Sequence, residues 1–291
     1  MMHKAKMIDG RKIAHEIQTE IISESKRFIQ DSGISPKLAV VLLGRDPASL
    51  FYVRMIERAC KKVGFHFEKH ELSEKISESE VLDHINRLNN DKAIHGIIVQ
   101  APLPDHIKQE NIQMAVNPIK DVDCFNPVNM GRIMMGKPRF LPCTPYAVFE
   151  LLKRESIQVE GKHVVIVGRS NIVGKPLAMI LLLKQNNANA TVTVCHSRTP
   201  NLSYFTKKGD IVIAAAGKAK LITAEMIREG SIVIDVGTNE LEGQLVGDVD
   251  FADAEKVAAS ITPVPGGVGP ITNVMLMRNT LQAARYQKKM H

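Results

Sequence analysis

The stretch Lys162–Lys184 constrains the fold more than any other, because it reads as a strand, a glycine turn and a helix in succession. His163–Val167 is a short β-branched run, and Gly168 and Gly174 bracket the polar turn that follows. Pro176 suits the first turn of a helix, where a missing N–H costs nothing. Backbone N–H groups and the helix dipole there favour an anion. The segment predicts the pyrophosphate cradle of a dinucleotide or, with equal weight, a plain strand–helix unit, because its G-x5-G spacing is not G-x-G-x-x-G.

Length and charge narrow the class of protein. The chain has 291 residues, enough for one large α/β unit or two ordinary domains, and 44% of them are hydrophobic. Its net charge of +7 comes from dispersed basic residues without an Arg/Lys block or interleaved aromatic residues. This pattern argues against nucleic acid as a partner. Small polyanionic ligands explain the positive excess equally well.

The four cysteines lie far apart in the sequence and show no CxxC spacing. With no signal peptide in the sequence, they indicate a reduced, cytoplasmic protein without a metal site. No apolar run approaches the ~20 residues of a membrane span, so we expect no membrane association.

Strand and helix patterns alternate along the whole chain. Strands are predicted at 38–43, 65–72, 94–99, 163–167, 191–195, 211–215 and 231–236, and helices at 11–30, 48–63, 77–88, 109–116, 146–154, from 176 onward and at 271–286. The pattern predicts an α/β fold of two parallel-sheet domains with a cleft between them, the second Rossmann-like. We expect residues 1–144, with the C-terminal helix 272–291, to form the first domain and residues 145–271 the second.

The strand after the glycine turn ends in Cys195-His196-Ser197-Arg198. An NAD-binding fold usually carries an acid here, which accepts a hydrogen bond from the ribose 2′-OH. This loop has no acid, and Ser197 and Arg198 offer donors instead, as does Arg169 in the glycine turn. The pair of arginines therefore predicts NADP over NAD, although each arginine alone would be read as a solvated surface charge.

Three further segments of the second half have compositions typical of ligand-lining backbone. Ile213–Gly217 and Asp235–Thr238 end strands in small residues, which let a ligand approach closely. Thr262–Thr272 reads TPVPGGVGPIT, which predicts an irregular loop that lines a ligand or, less informatively, a long connection.

In the first half, Ser49, Tyr52 and Ile56 share one helical face. Gln100 and Asp123 each follow a predicted strand, where open α/β sheets place ligands. Singly, a helical tyrosine is more often a core residue, and a lone Gln or Asp more often belongs to a turn. Together they predict a binding site.

Several segments carry a resemblance to a known family. They are PASLFYVR (47–54), GIIVQAPLP (96–104), KDVD (120–123), PCTP (142–145), GRSNIVGKP (168–176) and TPVPGGVGPIT (262–272). In order and spacing, the chain resembles the methylenetetrahydrofolate dehydrogenase/cyclohydrolase family over essentially its whole length. The resemblance implies a two-domain α/β enzyme, usually a homodimer. Such an enzyme oxidises 5,10-methylenetetrahydrofolate with NADP and hydrolyses the methenyl product to 10-formyltetrahydrofolate.

The resemblance also implies roles for individual residues. Tyr52 would stack or hydrogen-bond near the folate ring, with Ser49 beside it, and Gln100 and Asp123 would hold the substrate, Asp123 at the pterin. The turn Pro265-Gly266-Gly267 would shape the pocket where nicotinamide meets folate. The cofactor would be lined by Gly168, Arg169, Ser170, Ile172, Gly174, Ser197, Arg198, Ala215, Gly217 and Thr238.

One position departs from the family pattern Tyr-x-x-x-Lys, since this chain reads Tyr52-Val-Arg-Met-Ile56. The resemblance assigns acid–base and electrostatic roles in hydrolysis to the lysine. Isoleucine can neither transfer a proton nor stabilise developing charge. In hydride transfer the protein mainly orients the reactants. We therefore expect dehydrogenase activity to survive and cyclohydrolase activity to be weak or absent. The alternatives are a monofunctional dehydrogenase and a degenerate folate-binding paralogue. A smaller departure is Cys124, where the family usually has glycine.

Overall fold

The computed structural model describes residues 4–290, whose strands form two parallel sheets and one antiparallel hairpin. The described chain divides into two units. The six-stranded unit comprises residues 4–15 and 142–272, and the three-stranded unit comprises residues 16–141 and 273–290. Within residues 4–290, every helix is too short or too polar to cross a bilayer.

The elements follow in chain order. The first are β1 (Lys6–Met7), α1 (Gly10–Ser32), β2 (Lys37–Leu43), α2 (Pro47–Val63), β3 (His66–Leu72), α3 (Glu78–Asn90), β4 (Gly96–Val99), α4 (Gln109–Ala115) and α5 (Pro127–Met134). Next come α6 (Cys143–Arg154), β5 (His163–Val167), α7 (Gly174–Leu181), β6 (Thr191–Cys195), α8 (Leu202–Thr206), β7 (Ile211–Ala214) and β8 (Ile232–Asp235). The last are β9 (Asn239–Leu241), β10 (Gln244–Val246), α9 (Phe251–Ala254), β11 (Ser260–Ile261) and α10 (Val268–Lys288).

The three-stranded unit is built on a parallel sheet with the order β3–β2–β4. Its central strand β2 is almost wholly buried and apolar, as expected where both faces of a parallel strand are covered. Asp121 adds a parallel bridge to Ile97 of β4. The segment after Asp121 therefore leaves the sheet at the same edge as the carboxyl end of β4.

Helix α2 is fixed by its caps and by its buried face. The Asp46 carboxylate accepts a hydrogen bond from the backbone N–H of Ser49 at 2.8 Å, and Gly64 ends the helix with φ 78°. Gly suits this left-handed position because it has no Cβ. The buried face is formed by Ser49, Val53, Ile56, Cys60 and Val63. Burial of each aliphatic side chain stabilises the fold by about 1.5–3 kcal/mol.

The six-stranded unit is a parallel sheet with the order β1–β11–β8–β7–β5–β6. From β5 the chain passes to β6 on one side and then to β7 on the other, so β5 marks the topological switch point. Ligands of open α/β sheets bind outside the carboxyl ends of the strands at such a point. The prediction of two α/β units with parallel sheets, one Rossmann-like, is confirmed.

The prediction that residues 262–272 are irregular is wrong for the last five residues. Helix α10 begins at Val268 and continues without a break to Lys288. Pro270 lies in its first turn, where the absent N–H has no intrahelical acceptor to lose. Glycine and proline content therefore did not predict that a long helix begins inside this segment.

The domain boundaries differ from the predicted ones at the N-terminus. Residues 4–15 group with the six-stranded unit, because β1 pairs with β11 as the edge of that sheet. The predicted elements also omit α5 and the β9–β10 hairpin. For α5 the sequence does hold a start signal, because the Asn126 side chain caps the helix and Pro127 opens it.

Candidate active site

The glycine turn after β5 is held against the neighbouring strand β7. A Cβ on Gly168, whose φ is 138°, would lie 2.0 Å from the carbonyl oxygen of Ala215. A Cβ on Gly174 would lie 2.0 Å from the carbonyl oxygen of Gly168. Both positions therefore exclude any side chain. The first turn of α7 packs directly on the strand end, as a phosphate cradle requires.

The side chains of this turn point to solvent at the switch point. Arg169, Ser170 and Ile172 are exposed, and Ile172 keeps 42% of its surface accessible. The Ser170 hydroxyl accepts a hydrogen bond from the backbone N–H of Val173 at 3.0 Å, which closes the turn. The turn is thus ordered by its own contacts and presents a guanidinium at its rim.

The loop after β6 supplies the donors predicted from its sequence. The backbone N–H of His196 donates to the Thr199 hydroxyl at 2.9 Å, and the N–H of Arg198 donates to the imidazole Nδ1 of His196 at 3.1 Å. These bonds fold the loop back on itself and leave the side chains of Ser197 and Arg198 exposed. Because β6 is adjacent to β5, this loop borders the glycine turn.

The loop after β7 has its amides occupied by the protein itself. The backbone N–H groups of Ala216, Gly217 and Lys218 donate to the carboxylate of Asp248, at 2.5, 2.9 and 2.9 Å. Successive amides that converge in this way form an anion-binding nest. Ala215 and Gly217, both predicted to line the cofactor, lie on this loop.

A second buried carboxylate organises the end of β8. Asp235 accepts hydrogen bonds from the backbone N–H groups of Gly237, Asp248 and Val249, each at 2.9 Å. Burial raises the pKa of Asp235 to about 6, and the nearby Asp248 carboxylate acts in the same direction. Thr238, another predicted cofactor residue, is exposed and follows the Asp235–Gly237 segment directly. We call the hydrogen-bonded pair Asp235 and Asp248 the clasp.

The sequence pattern does not single out the two aspartates as functional residues. It places Asp235 in a strand-ending segment that lines a ligand, and Asp248 lies outside every predicted site segment. The available signal was a glycine next to each carboxylate. A Cβ on Gly237 would lie 2.3 Å from the Asp248 carboxyl carbon, and a Cβ on Gly247 would lie 1.8 Å from an Asp235 oxygen.

The Pro265-Gly266-Gly267 turn packs against the start of α1. A Cβ on Gly10 would lie 1.7 Å from the carbonyl oxygen of Gly267, and Gly266 has a φ of 114°. Gly266 and Gly267 are buried whereas Pro265 is exposed. The turn is therefore rigid, and its proline is the residue it presents outward.

In the three-stranded unit, two predicted substrate residues converge on one carbonyl group. The Ser49 hydroxyl donates to the carbonyl oxygen of Ala101 at 3.4 Å, and the Gln100 side-chain amide donates to the same oxygen at 2.7 Å. The backbone N–H of Gln100 donates to the carbonyl of Val41 in β2 at 2.9 Å. The start of α2 and the end of β4 are thereby held together.

The loop that carries Asp123 is shaped by its neighbour Asp121. The buried Asp121 carboxylate accepts from the backbone N–H groups of Phe125 and Asn126, at 3.1 and 2.9 Å, and from the Asn129 side chain at 2.8 Å. Burial raises the pKa of Asp121, and these hydrogen bonds oppose that effect. Asp123 itself is half-buried at the carboxyl edge of the sheet.

Tyr52 and Ile56 differ in their surroundings although both lie on α2. Tyr52 is half-buried, whereas Ile56 is 1% exposed and belongs to the packed face of the helix. Arg54 and Arg58 are exposed. The buried face of α2 thus carries no basic side chain.

The predicted cofactor residues all lie at the carboxyl edge of the six-stranded sheet, on the loops after β5, β6, β7 and β8 and, for Gly174, at the first residue of α7. Ser49, Gln100 and Asp123 lie at the corresponding edge of the three-stranded sheet. Among residues 4–290, no three His, Cys, Asp or Glu side chains are placed to hold a metal ion.

Comparison with known proteins accounts for nearly the whole chain. Residues 142–288 match the NAD(P)-binding domain of tetrahydrofolate dehydrogenase/cyclohydrolase, and residues 8–123 match its catalytic domain. The bifunctional protein FolD of Halothermothrix orenii is 52% identical over 283 residues, which cover 97% of this chain and 98% of that protein.

Two solved structures extend the likeness to the fold. The bifunctional FolD of Campylobacter jejuni is 46% identical with a TM-score of 0.93, covering 97% of this chain and 99% of that one. The Trypanosoma brucei enzyme, solved with NADP and an inhibitor, is 40% identical with a TM-score of 0.93, covering 99% of this chain and 100% of that one. The protein described here is therefore a member of the tetrahydrofolate dehydrogenase/cyclohydrolase family.

Proposed function

We propose that this protein oxidises 5,10-methylenetetrahydrofolate to 5,10-methenyltetrahydrofolate with NADP, and that it hydrolyses the product to 10-formyltetrahydrofolate only slowly. Family membership over both domains supports the reaction class. The observation that carries the cofactor choice is the acid-free loop after β6, whose exposed Ser197 and Arg198 border a glycine turn at the switch point. Donors and positive charge there suit a ribose 2′-phosphate.

The residues of the six-stranded unit fit a bound dinucleotide. The positions of Gly168 and Gly174 leave no room for a Cβ, as a cradle that brings backbone to a pyrophosphate requires. Ser170, Ile172 and Gly174 would line the pyrophosphate, and Arg169, Ser197 and Arg198 would face the 2′-phosphate. Ala215, Gly217 and Thr238 would line the remainder. NADP supplies a hydride acceptor, and the chain supplies its orientation.

The substrate would be held by the edge of the three-stranded sheet. Asp123 would accept hydrogen bonds from the pterin, Gln100 and Ser49 would fix its orientation, and Tyr52 would pack beside the ring. By the resemblance, Pro265, Gly266 and Gly267 would also contribute to substrate binding. Orientation of this kind is the main protein contribution to hydride transfer.

Hydrolysis is the activity that depends on position 56. The resemblance assigns the family's catalytic lysine to this position, and here a buried isoleucine occupies it. No proton can be held or moved at this side chain. We therefore propose that hydrolysis is slow relative to oxidation.

The test follows the two steps separately in one spectrophotometric assay. Appearance of the methenyl chromophore with NADP measures oxidation, and decay of supplied methenyltetrahydrofolate, corrected for the uncatalysed rate, measures hydrolysis. We expect ready oxidation and hydrolysis near background. Absence of oxidation, despite NADPH binding, would favour a folate-binding paralogue. Hydrolysis as fast as oxidation would contradict the role given to position 56.

We also propose a homodimer in the cytoplasm. The homodimer rests on the resemblance alone, and light scattering of the purified protein measures the oligomeric state. The cytoplasmic location is supported by the four cysteines, which are all buried and show no CxxC spacing. Retention of four titratable thiols after denaturation of protein taken directly from cells would agree with a reducing compartment.

A further inference from the structure

One buried carboxylate connects three separate segments of the six-stranded unit. Asp248 is fully buried, and both of its oxygens are used. One oxygen accepts from the N–H groups of Ala216 and Gly217, and the other accepts from the N–H of Lys218 and the side-chain amide of Asn239. The loops after β7 and β8 are therefore fastened to the same group.

Asp248 is in turn held by the second carboxylate. Its own backbone N–H donates to Asp235 at 2.9 Å, and the backbone N–H of Asp235 donates to the Thr262 hydroxyl at 2.7 Å. Gly237 and Gly247 pack so closely on the two carboxylates that no side chain fits at either position. The close packing thus restricts movement of the two carboxylates relative to the backbone around them.

We infer that Asp248 is a positioning residue for the cofactor site, which sets the loops carrying Ala215, Gly217 and Thr238. The inference rests on the proposed function, since those three residues are the ones proposed to line NADP. Asp248 would act without touching the ligand, because both of its carboxylate oxygens already accept hydrogen bonds from protein groups.

The Asp248 carboxylate occupies the nest of amides at residues 216–218, and this affects which part of a dinucleotide the loop after β7 can contact. A nest of three amides would otherwise attract a phosphate. Because Asp248 occupies it, the amides of residues 216–218 are not available to the ligand. The turn at Gly168–Gly174 is left to receive the pyrophosphate, and the loop after β7 meets an uncharged part of the molecule.

The experiment compares direct binding of NADPH, followed by its fluorescence, in the wild type, Asp248→Asn and the matched control Asp250→Asn. Asp250 lies two residues away and makes no capping bond to α9. In Asp248→Asn an amide replaces one acceptor oxygen and opposes the backbone donors. The loop after β7 is then no longer held in place, so NADPH must order it on binding, and an ordering cost on the scale of one charge-assisted bond corresponds to about tenfold weaker binding. We expect this loss in Asp248→Asn alone, with the KM for methylenetetrahydrofolate within about twofold of the wild type.

A milder variant keeps the test decisive if Asp248→Asn does not fold. Asn239→Ala removes only the bond to the loop after β8, and we expect NADPH binding to weaken about threefold. Folded Asp248→Asn or Asn239→Ala protein that binds NADPH like the wild type would overturn the inference. Equal rises in the KM for NADP and for the folate would also overturn it. Wild-type protein that fails to bind NADPH would instead refute the proposed function.

Discussion

Gly168 and Ala215 approach so closely that a Cβ on the glycine would lie 2.0 Å from the alanine carbonyl oxygen. The contact joins the turn after β5 to the end of β7, whose strands pair in parallel up to Val167 and Ala214. It fixes the glycine turn relative to the neighbouring loop without any side chain. The position of the proposed cradle against the end of β7 therefore depends on this backbone contact.

Substitution Gly168→Ala tests that dependence. We expect it to lower the free energy of unfolding by about 3 kcal/mol, because it adds overpacking to a left-handed φ. Gly230→Ala is the matched control, since Gly230 has a φ of 76° but open space around it, and should cost only about 1 kcal/mol. Urea unfolding followed by circular dichroism measures both, and equal losses would contradict the packing argument.

Cofactor preference should depend on the loop after β6. We expect Arg198→Ala to lower kcat/KM for NADP about 10- to 100-fold, with kcat/KM for NAD changed less than twofold, because one charge-assisted bond to a 2′-phosphate is worth about 1.5–3 kcal/mol. Lys207→Ala is a suitable control, since Lys207 is an exposed cation outside the proposed site. Parallel losses with both cofactors would show that Arg198 does not read the 2′-phosphate.

Position 56 should control hydrolysis. We expect Ile56→Lys to raise methenyltetrahydrofolate hydrolysis about 10²- to 10⁴-fold, the usual contribution of a positioned acid or base. Oxidation should change only a few-fold. The cost is desolvation of an ammonium at a site that is 1% exposed for isoleucine, which lowers the pKa of the introduced lysine.

Ile56→Met is the control for that substitution, because it keeps an apolar side chain of similar volume. Both variants are compared by thermal unfolding before their rates are compared. A folded Ile56→Lys protein with hydrolysis no faster than the Ile56→Met protein would show that the pocket lacks more than the lysine.

Local sequence predicted the strands well but not what joins their ends. The bounds of β5 and β6 agree with the predicted ones, because β-branched runs there stop at glycine or polar residues. The clasp of Asp235 and Asp248 could not be predicted in the same way. The two residues lie 13 positions apart across the β9–β10 hairpin, and their contact depends on close approach at Gly237 and Gly247.

Backbone strain next to Asp123 should respond to glycine. Cys124 has a φ of 63° and is fully buried, with its Sγ 3.4 Å from the carbonyl oxygen of Phe140. Cys124→Ala loses the sulfur contact and keeps the strain, whereas Cys124→Gly loses both. We expect the glycine variant to be more stable than the alanine variant by about 1 kcal/mol. Urea unfolding of the pair measures the difference, and the reverse order would contradict the strain.

The pH dependence of stability should show the buried Asp235 carboxylate. Its pKa in the folded protein is about 6, above its ordinary value of 3.8, because burial disfavours the charge. Between these values the folded protein keeps a proton that the unfolded chain has released. The contribution of Asp235 to stability is therefore full below about pH 4 and is lost as the pH rises through 6. Asp235→Asn cannot titrate, so the free energy of unfolding of the wild type relative to this variant should fall by about 2 kcal/mol from pH 4 to pH 7. Urea unfolding at each pH, followed by far-UV circular dichroism because the chain has no tryptophan, measures that difference. Parallel pH profiles for the two proteins would mean that Asp235 does not carry this titration.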